Sequence, residues 1–419
     1  MEENQSIPGF RNVPKTGVIY VMTEAKKFGF GQDGAQWANL GQGSPETGPI
    51  PGAPPRISSL KIDPFANRYS DVEGEIRLRQ KVADFYNELY RKGKTSQYTY
   101  ENVSISGGGR IALTRLATAL GNINFGHFLP DYTAYEELLS VFRAFIPIPI
   151  LLNREAGYRI PPEDIRREIL GRGLQAILLS NPCNPTGQVI AGADLKAWVD
   201  VARETCCSII LDEFYSHFVY DNPSQNGCRM ISGAEFIEDV NTDPVVLVDG
   251  LTKNWRYPGW RISWTLAPKS VIDVIASAGS FLDGGANNPF QQQAISLLEP
   301  ELAIQETRAI QDLFRKKKQY VYERLTELGI EVDSKPGGTF YFWACLSNLP
   351  EPLNDGLHFF HEGLKERVIT VPGVFFDVNP DQRRSLRRYQ NYCRISFGPE
   401  MNHLETGLDA IERVIKKFS

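Results

Sequence analysis

The chain is poor in the residues that hold small secreted or metal-bound proteins together. Its 419 residues include only six cysteines and five histidines. Cys183, Cys206, Cys207, Cys228, Cys345 and Cys393 show no C-x-x-C spacing, and the histidines are dispersed, which argues for reduced thiols and against a structural zinc site. No metal is expected. Long apolar runs are also missing: the greasiest stretch, "AFIPIPILL", is too short to cross a bilayer. The opening "MEENQSIPGFRNVPK" has neither the basic start nor the apolar core of a signal peptide. Nor is there an excess of basic charge, since 45 Lys and Arg face 50 Asp and Glu for a net charge of −5, which speaks against sequence-independent nucleic-acid binding. The expectation is a soluble, cytoplasmic protein with a small-molecule partner, no nucleic acid and no membrane.

What is present suits a two-domain enzyme, with 42% apolar residues. Residues 1–62, rich in Gly, Pro and Ser, read as an N-terminal arm that contributes part of a small domain. Over 63–300, amphipathic stretches such as "GEIRLRQKVADFYNELYRKG" alternate with the short apolar runs "GHFLP", "QAILLSNP", "SIILDEFY" and "PVVLVDG". That alternation predicts a large α/β domain with a mostly parallel sheet. Residues 301–419 open with a long helical pattern, pass through "IEVDSKPGGTFYFWACL" and "NYCRISFG", and close on another helix, predicting a smaller α+β domain. The basic run Arg315–Lys318 reads as a solvated helix face.

Chemistry is expected where strands end. In "VSISGGGRIAL", Gly107, Gly109 and Ala112 satisfy G-x-G-x-x-A between a strand and a helix, with Asp131 about twenty residues on. This is most of a dinucleotide fingerprint, but such a turn offers its N–H groups to any phosphate. "SNPCNPTG" (180–187) is a stiff turn presenting Asn181 and Asn184, and alone it is as compatible with plain structure as with a site. Asp212 in "LDEFY" ends a strand read as buried, where a carboxylate needs a cationic partner, a cap or an ion pair. In "DGLTKNWRYPGWRISW", Lys253 follows a strand and Arg261 follows a rigid Pro258-Gly259 turn. Desolvation and neighbouring cations make such a lysine nucleophilic toward a carbonyl. Arg394 in "NYCRISFG" is either a surface ion pair or a bidentate carboxylate clamp.

Taken in order, "NLGQG", "RYSDVEGEIRLR", "SGGGRIAL", "PDYTAY", "SNPCNPTG", "LDEFY", "TKNWRYPGWR", "KPGGTFY", "VPG" and "NYCRISFG" resemble the class I/II aminotransferase family over nearly the whole length. The resemblance implies a fold-type I transferase dependent on pyridoxal 5'-phosphate, with a seven-stranded, mostly parallel sheet in the large domain. It implies that Lys253 carries the Schiff base and moves the substrate proton, and that Asp212 pairs with the ring nitrogen. Asn184 and Tyr215 would bond the ring hydroxyl, and Tyr132 would stack on the ring, leaving Asp131 a bystander. Gly108, Gly109, Arg110 and Arg261 would hold the phosphate, and Tyr69 would reach it from the neighbouring subunit of a homodimer with shared sites. Arg394, with Gly41 and Asn184, would bind the substrate carboxylate.

Two departures stand out. Gly250 occupies the place of a common phosphate-binding hydroxyl, with Thr252 or Arg110 as candidates to compensate, and Ser263 replaces a frequent glycine. No arginine lies between Arg261 and Arg308, which disfavours a dicarboxylic substrate held as in aspartate-type relatives and leaves "FLDGGANNPF" as an uncharged wall. Arg383, Arg384, Arg387 and Arg388 read either as an attractor of anions or as a solvated helix face. The expected reaction moves an amino group between an amino acid and a 2-oxo acid. A lyase, cyclase, decarboxylase or oxidase would use the same residues, whereas a nicotinamide dehydrogenase would leave Lys253 and Arg261 unexplained. A DNA-binding regulator on an aminotransferase-like domain is a third reading, but the arm before the large domain has no helix-turn-helix pattern.

Overall fold

The computed structural model describes residues 17–32, 36–220 and 228–419; the remaining residues of the arm, 1–16 and 33–35, lie outside this set. Seven strands form the main sheet: β1 (Val103–Ser106), β2 (Asn124–Leu129), β3 (Ile146–Leu151), β4 (Leu174–Ser180), β5 (Ser208–Asp212), β6 (Val245–Gly250) and β7 (Ser263–Leu266). Their spatial order is β1-β7-β6-β5-β4-β2-β3. Only β7 runs antiparallel to its neighbours, so the other six point their carboxyl ends to one edge.

The central strands are continuous apolar runs because both faces are covered. Their alternate residues feed two separate cores. Leu178, Ile210, Val246 and Val248 join one with Ala112 and Leu116 of helix Gly109–Ala119. Ile177, Leu179, Ile209, Leu211 and Leu247 join the other with Trp198 and Ala202 of helix Ala193–Thr205. A one-residue slip of any central strand would exchange these sets, which fixes the register and with it the residue at each strand end.

Helix Pro300–Glu327, 28 residues long and therefore about 42 Å, leads to a second, four-stranded sheet. There Tyr341–Cys345 pairs antiparallel with both Tyr392–Ser396 and Glu331–Val332, and Val371–Pro372 flanks Tyr392–Ser396. Helices Gly356–Lys365 and Met401–Lys416 complete this part.

Three sequence expectations need correction. The arm carries a helix, Gly17–Lys27. The basic run is not simply a solvated face: Lys317 is buried, donating to Glu46 Oε1 at 2.8 Å and to the Pro399 carbonyl at 2.6 Å, and Lys318 lies over the Tyr220 ring. The arginines from 383 to 388 lie in a loop, not on a helix face, with Arg384 bonded to Asp377 and Arg383 to Asp381.

Candidate active site

The shared carboxyl edge of the sheet opens into a cleft of about 400 Å³ lined by Gly109, Arg110, Tyr132, Asn184, Asp212, Tyr215, Thr252, Lys253, Arg261 and Arg394. Five strands deliver them. β1 runs into the glycine loop, β2 into Pro130-Asp131-Tyr132, β4 into the Asn184 turn, β5 ends on Asp212 itself, and β6 leads to Lys253. Arg394 comes from the second sheet and closes the cleft from the other side.

Lys253 sits on a turn that is held from both sides. Its neighbour Asn254 accepts from the His217 amide and donates to Asp249 Oδ1 at 2.9 Å, while Arg256 donates to Glu306 Oε1 at 2.6 Å. The ammonium donates to the Gly43 carbonyl. Burial, then the guanidinium groups of Arg394, Arg261 and Arg110, push it down to about 7, with Asp212 opposing them. A lysine in that range is available as an uncharged amine near neutral pH. Asp212 is also buried and pushed up to about 6 by desolvation; Tyr135 donates to its Oδ2 at 2.8 Å, which lowers it.

The glycine loop explains its own composition. Gly108 has φ +98°, and a Cβ there would lie 2.0 Å from Arg261 Nη2; a Cβ on Gly109 would lie 2.4 Å from the Phe214 ring. The backbone is thus pressed against Arg261 at the start of helix Gly109–Ala119, so N–H groups, a helix N-terminus and a guanidinium converge on one point. Arg110 turns to the Tyr132 hydroxyl at 3.3 Å.

Arg394 is 1% exposed. Its Nη1 donates to Asn184 Oδ1 at 3.0 Å and its Nη2 to the Gly41 carbonyl at 2.8 Å, while the group lies over the Tyr341 ring. Its Nε is buried and has no hydrogen-bond partner among the described residues. An unsatisfied guanidinium N–H is costly and marks a place for an acceptor. Tyr215 and Tyr341 share a hydrogen bond of 2.8 Å, and burial raises both hydroxyls.

Gly250 and Ser263 face each other across β6 and β7. A Cβ on Gly250 would lie 2.6 Å from Ser263 Cα and from the Ile262 carbonyl, so a side chain has no room there. Ser263 instead donates to the carbonyl of Ser106 at 3.3 Å, directly before the glycine loop. The two departures noted in the sequence are one packing arrangement.

One expected side chain does not join this cleft within the chain. Tyr69 is 98% exposed. It lies in a separate surface pocket with residues 281–289, the region read as an uncharged wall. Tyr135 and Tyr341 were missed as site residues although they lie in quoted motifs, because nothing in their spacing reveals which buried group a hydroxyl will reach. Asp131, expected as a bystander, is buried next to Tyr132, and desolvation pushes it up to about 8. Among the described residues, Glu331, Asp333 and Cys345 lie close enough to share a metal ion, but Arg154 pairs with both carboxylates.

The sheet order, the single antiparallel strand and the cleft are those of a fold-type I transferase. More particularly, the chain belongs to the class I and II aminotransferase family, whose model matches residues 35–411. It is 25% identical over 355 residues to a probable aspartate/prephenate aminotransferase of Aquifex aeolicus, covering 84% of each chain. It is 24% identical to aromatic-amino-acid aminotransferase 2 of Thermococcus litoralis, covering 85% of this chain and 86% of that one. The aspartate aminotransferase of Thermus thermophilus with maleate superposes with a TM-score of 0.77 at 22% identity, covering 97% of this chain and 100% of that one. Among the described residues no helix is long and apolar enough to cross a membrane.

Proposed function

We propose that the protein is a pyridoxal-phosphate-dependent aminotransferase that moves an amino group between an amino acid and a 2-oxo acid. The observation that carries this reading is the meeting of Lys253, Asp212 and Arg394 in one buried cleft beside a glycine loop. The residues fit the cofactor: a cradle that a Cβ would fill, a buried carboxylate, a nucleophilic amine and an unpaired guanidinium N–H. When bound, the cofactor supplies an electron sink for the charge left on the substrate α-carbon.

The chain's own residues then divide the work. Lys253 would hold the cofactor through its amine and would exchange a proton with the substrate α-carbon, which an amine pushed down to about 7 can do in both directions. Asp212, oriented by Tyr135, would hold a proton at the ring nitrogen. Gly108, Gly109, Arg110, Thr252 and Arg261 would bind the phosphate, and Tyr132 would supply the ring platform. Asn184 and Tyr215 would donate to the ring hydroxyl. Arg394, already steered by Asn184 and Gly41, clamps the substrate carboxylate.

The same reading makes the enzyme a cytoplasmic homodimer divided at residues 62 and 300. In it, Tyr69 and the 281–289 segment, which line a pocket other than their own cleft, serve that of a second copy. Val18, Leu113, Phe214 and Tyr341 give the cleft apolar walls, and no arginine lies between 261 and 308. A neutral or aromatic amino donor therefore suits it better than a dicarboxylic one. The test is a panel of amino donors and 2-oxo acids assayed in pairs. Turnover that needs both partners and favours neutral or aromatic donors is expected; a strict preference for aspartate or glutamate would overturn the substrate assignment.

A further inference from the structure

Among the described residues Asp131 has no charged partner, yet it touches both halves of the site. It is 1% exposed and follows the carboxyl end of β2. Its Oδ1 accepts from the Tyr132 amide at 2.7 Å and from Ser180 Oγ at 2.5 Å, and its Oδ2 accepts from the Ser180 amide at 3.4 Å. Ser180, the last residue of β4, passes the connection on: its hydroxyl oxygen accepts from the Asn184 amide at 3.1 Å. Asn184 in turn accepts from Arg394 at 3.0 Å. The Asp131 amide donates to the Phe376 carbonyl at 3.3 Å, and the Arg394 guanidinium lies 5.2 Å from the Phe376 ring centre.

A carboxyl group buried without a cation is costly, and an apolar or amide side chain would fill the space at less expense. All three of its donors belong to Tyr132 and Ser180, both of which line the cleft. We infer that Asp131 is a positioning residue: its carboxyl group fixes the Tyr132 platform directly and, through Ser180, fixes Asn184 and the Arg394 clamp. One limb sets cofactor binding and the other sets substrate binding. The inference rests on the proposed function for what the two limbs hold.

Three variants of the full-length enzyme separate the limbs. Asp131→Ala removes both, Asp131→Asn keeps an oxygen where Oδ1 accepts from Tyr132 and Ser180, and Ser180→Ala removes the hydroxyl that joins Asp131 to Asn184 while leaving the Tyr132 bond in place. Cofactor affinity is read by titrating pyridoxal phosphate into the apoprotein and following tyrosine and tryptophan fluorescence; substrate binding is read as KM for donor and acceptor, apart from kcat. Asp131→Ala is expected to weaken cofactor affinity about tenfold and raise both KM values about tenfold. Asp131→Asn should recover most of each loss. Ser180→Ala should raise KM by a similar factor with cofactor affinity within about twofold of wild type.

If Asp131→Ala and Ser180→Ala lower only the melting temperature and leave affinity and KM within about twofold, Asp131 merely stabilises the fold and the inference is overturned. Should Asp131→Ala fail to fold, Ser180→Ala alone decides the substrate limb, since unchanged KM would refute it. A wild-type enzyme that transfers no amino group would defeat the functional reading instead, and the cofactor titrations would still decide the Tyr132 limb.

Discussion

Replacing Lys253 by methionine should make the apoprotein more stable, and by an amount that depends on pH. The structure buries this ammonium among three guanidinium groups and pushes it from 10.5 to about 7. At about 1.4 kcal/mol per pH unit, holding the charge in the fold costs on the order of 4–5 kcal/mol. The lost hydrogen bond to the Gly43 carbonyl returns about 1 kcal/mol of that. A gain of roughly 3 kcal/mol is therefore expected for Lys253→Met below pH 7. The sign follows from proton counting. Between pH 7 and 10.5 the unfolded chain keeps a proton that the folded chain has released, so wild-type stability rises with pH across that window. The variant has no such group and should lack that part of the slope, so the two curves converge as pH increases. Urea denaturation of both apoproteins from pH 6 to 9 measures the difference, using paired midpoints so that shared titrations cancel. Parallel curves, or a variant less stable than wild type at pH 6, would refute the claim that the folded apoprotein bears this penalty.

Other substitutions probe the remaining roles. Arg394→Lys keeps a charge but loses the planar fork that Asn184 and Gly41 steer; KM for the amino donor should rise at least thirtyfold, about 2 kcal/mol, with a smaller fall in kcat. Asp212→Asn removes the charge that favours a protonated ring nitrogen, and kcat should fall a hundredfold or more while the cofactor still binds. Gly250→Ser should destabilise the protein by about 1–3 kcal/mol because its Cβ meets Ser263 and the Ile262 carbonyl. Adding Ser263→Gly should restore part of that loss, giving a coupling of about 1 kcal/mol in a thermal-denaturation cycle.

Much of the architecture was legible because the central strands are continuous apolar runs ending in polar residues, which places Asp212 and Lys253 at strand ends without any structure. β3 was not read as a strand because Pro147 and Pro149 alternate along it, and proline usually argues against a strand. It is tolerated here because β3 is the sheet's edge, with β2 as its only partner among the described residues. The helix Gly17–Lys27 was hidden by the glycine- and proline-rich composition around it. Within the site, the charged residues could be picked out by type and order. Tyr135, Tyr341 and Ser180 could not, since a hydroxyl acquires its role only from the partner that tertiary packing brings to it. Gly250 and Ser263 appeared as two unrelated departures until the register of β6 and β7 set them opposite each other.

The most direct test of the central claim is the visible absorbance of the cofactor-loaded protein while single amino acids are added anaerobically, with no 2-oxo acid present. The account predicts that a neutral or aromatic donor converts the cofactor to its amino form, that a 2-oxo acid reverses the change, and that Lys253→Met does neither at a comparable rate. A spectrum that returns unaided while ammonia, carbon dioxide or a cyclised product accumulates would contradict it, and would make the chain a lyase-type enzyme on the same fold.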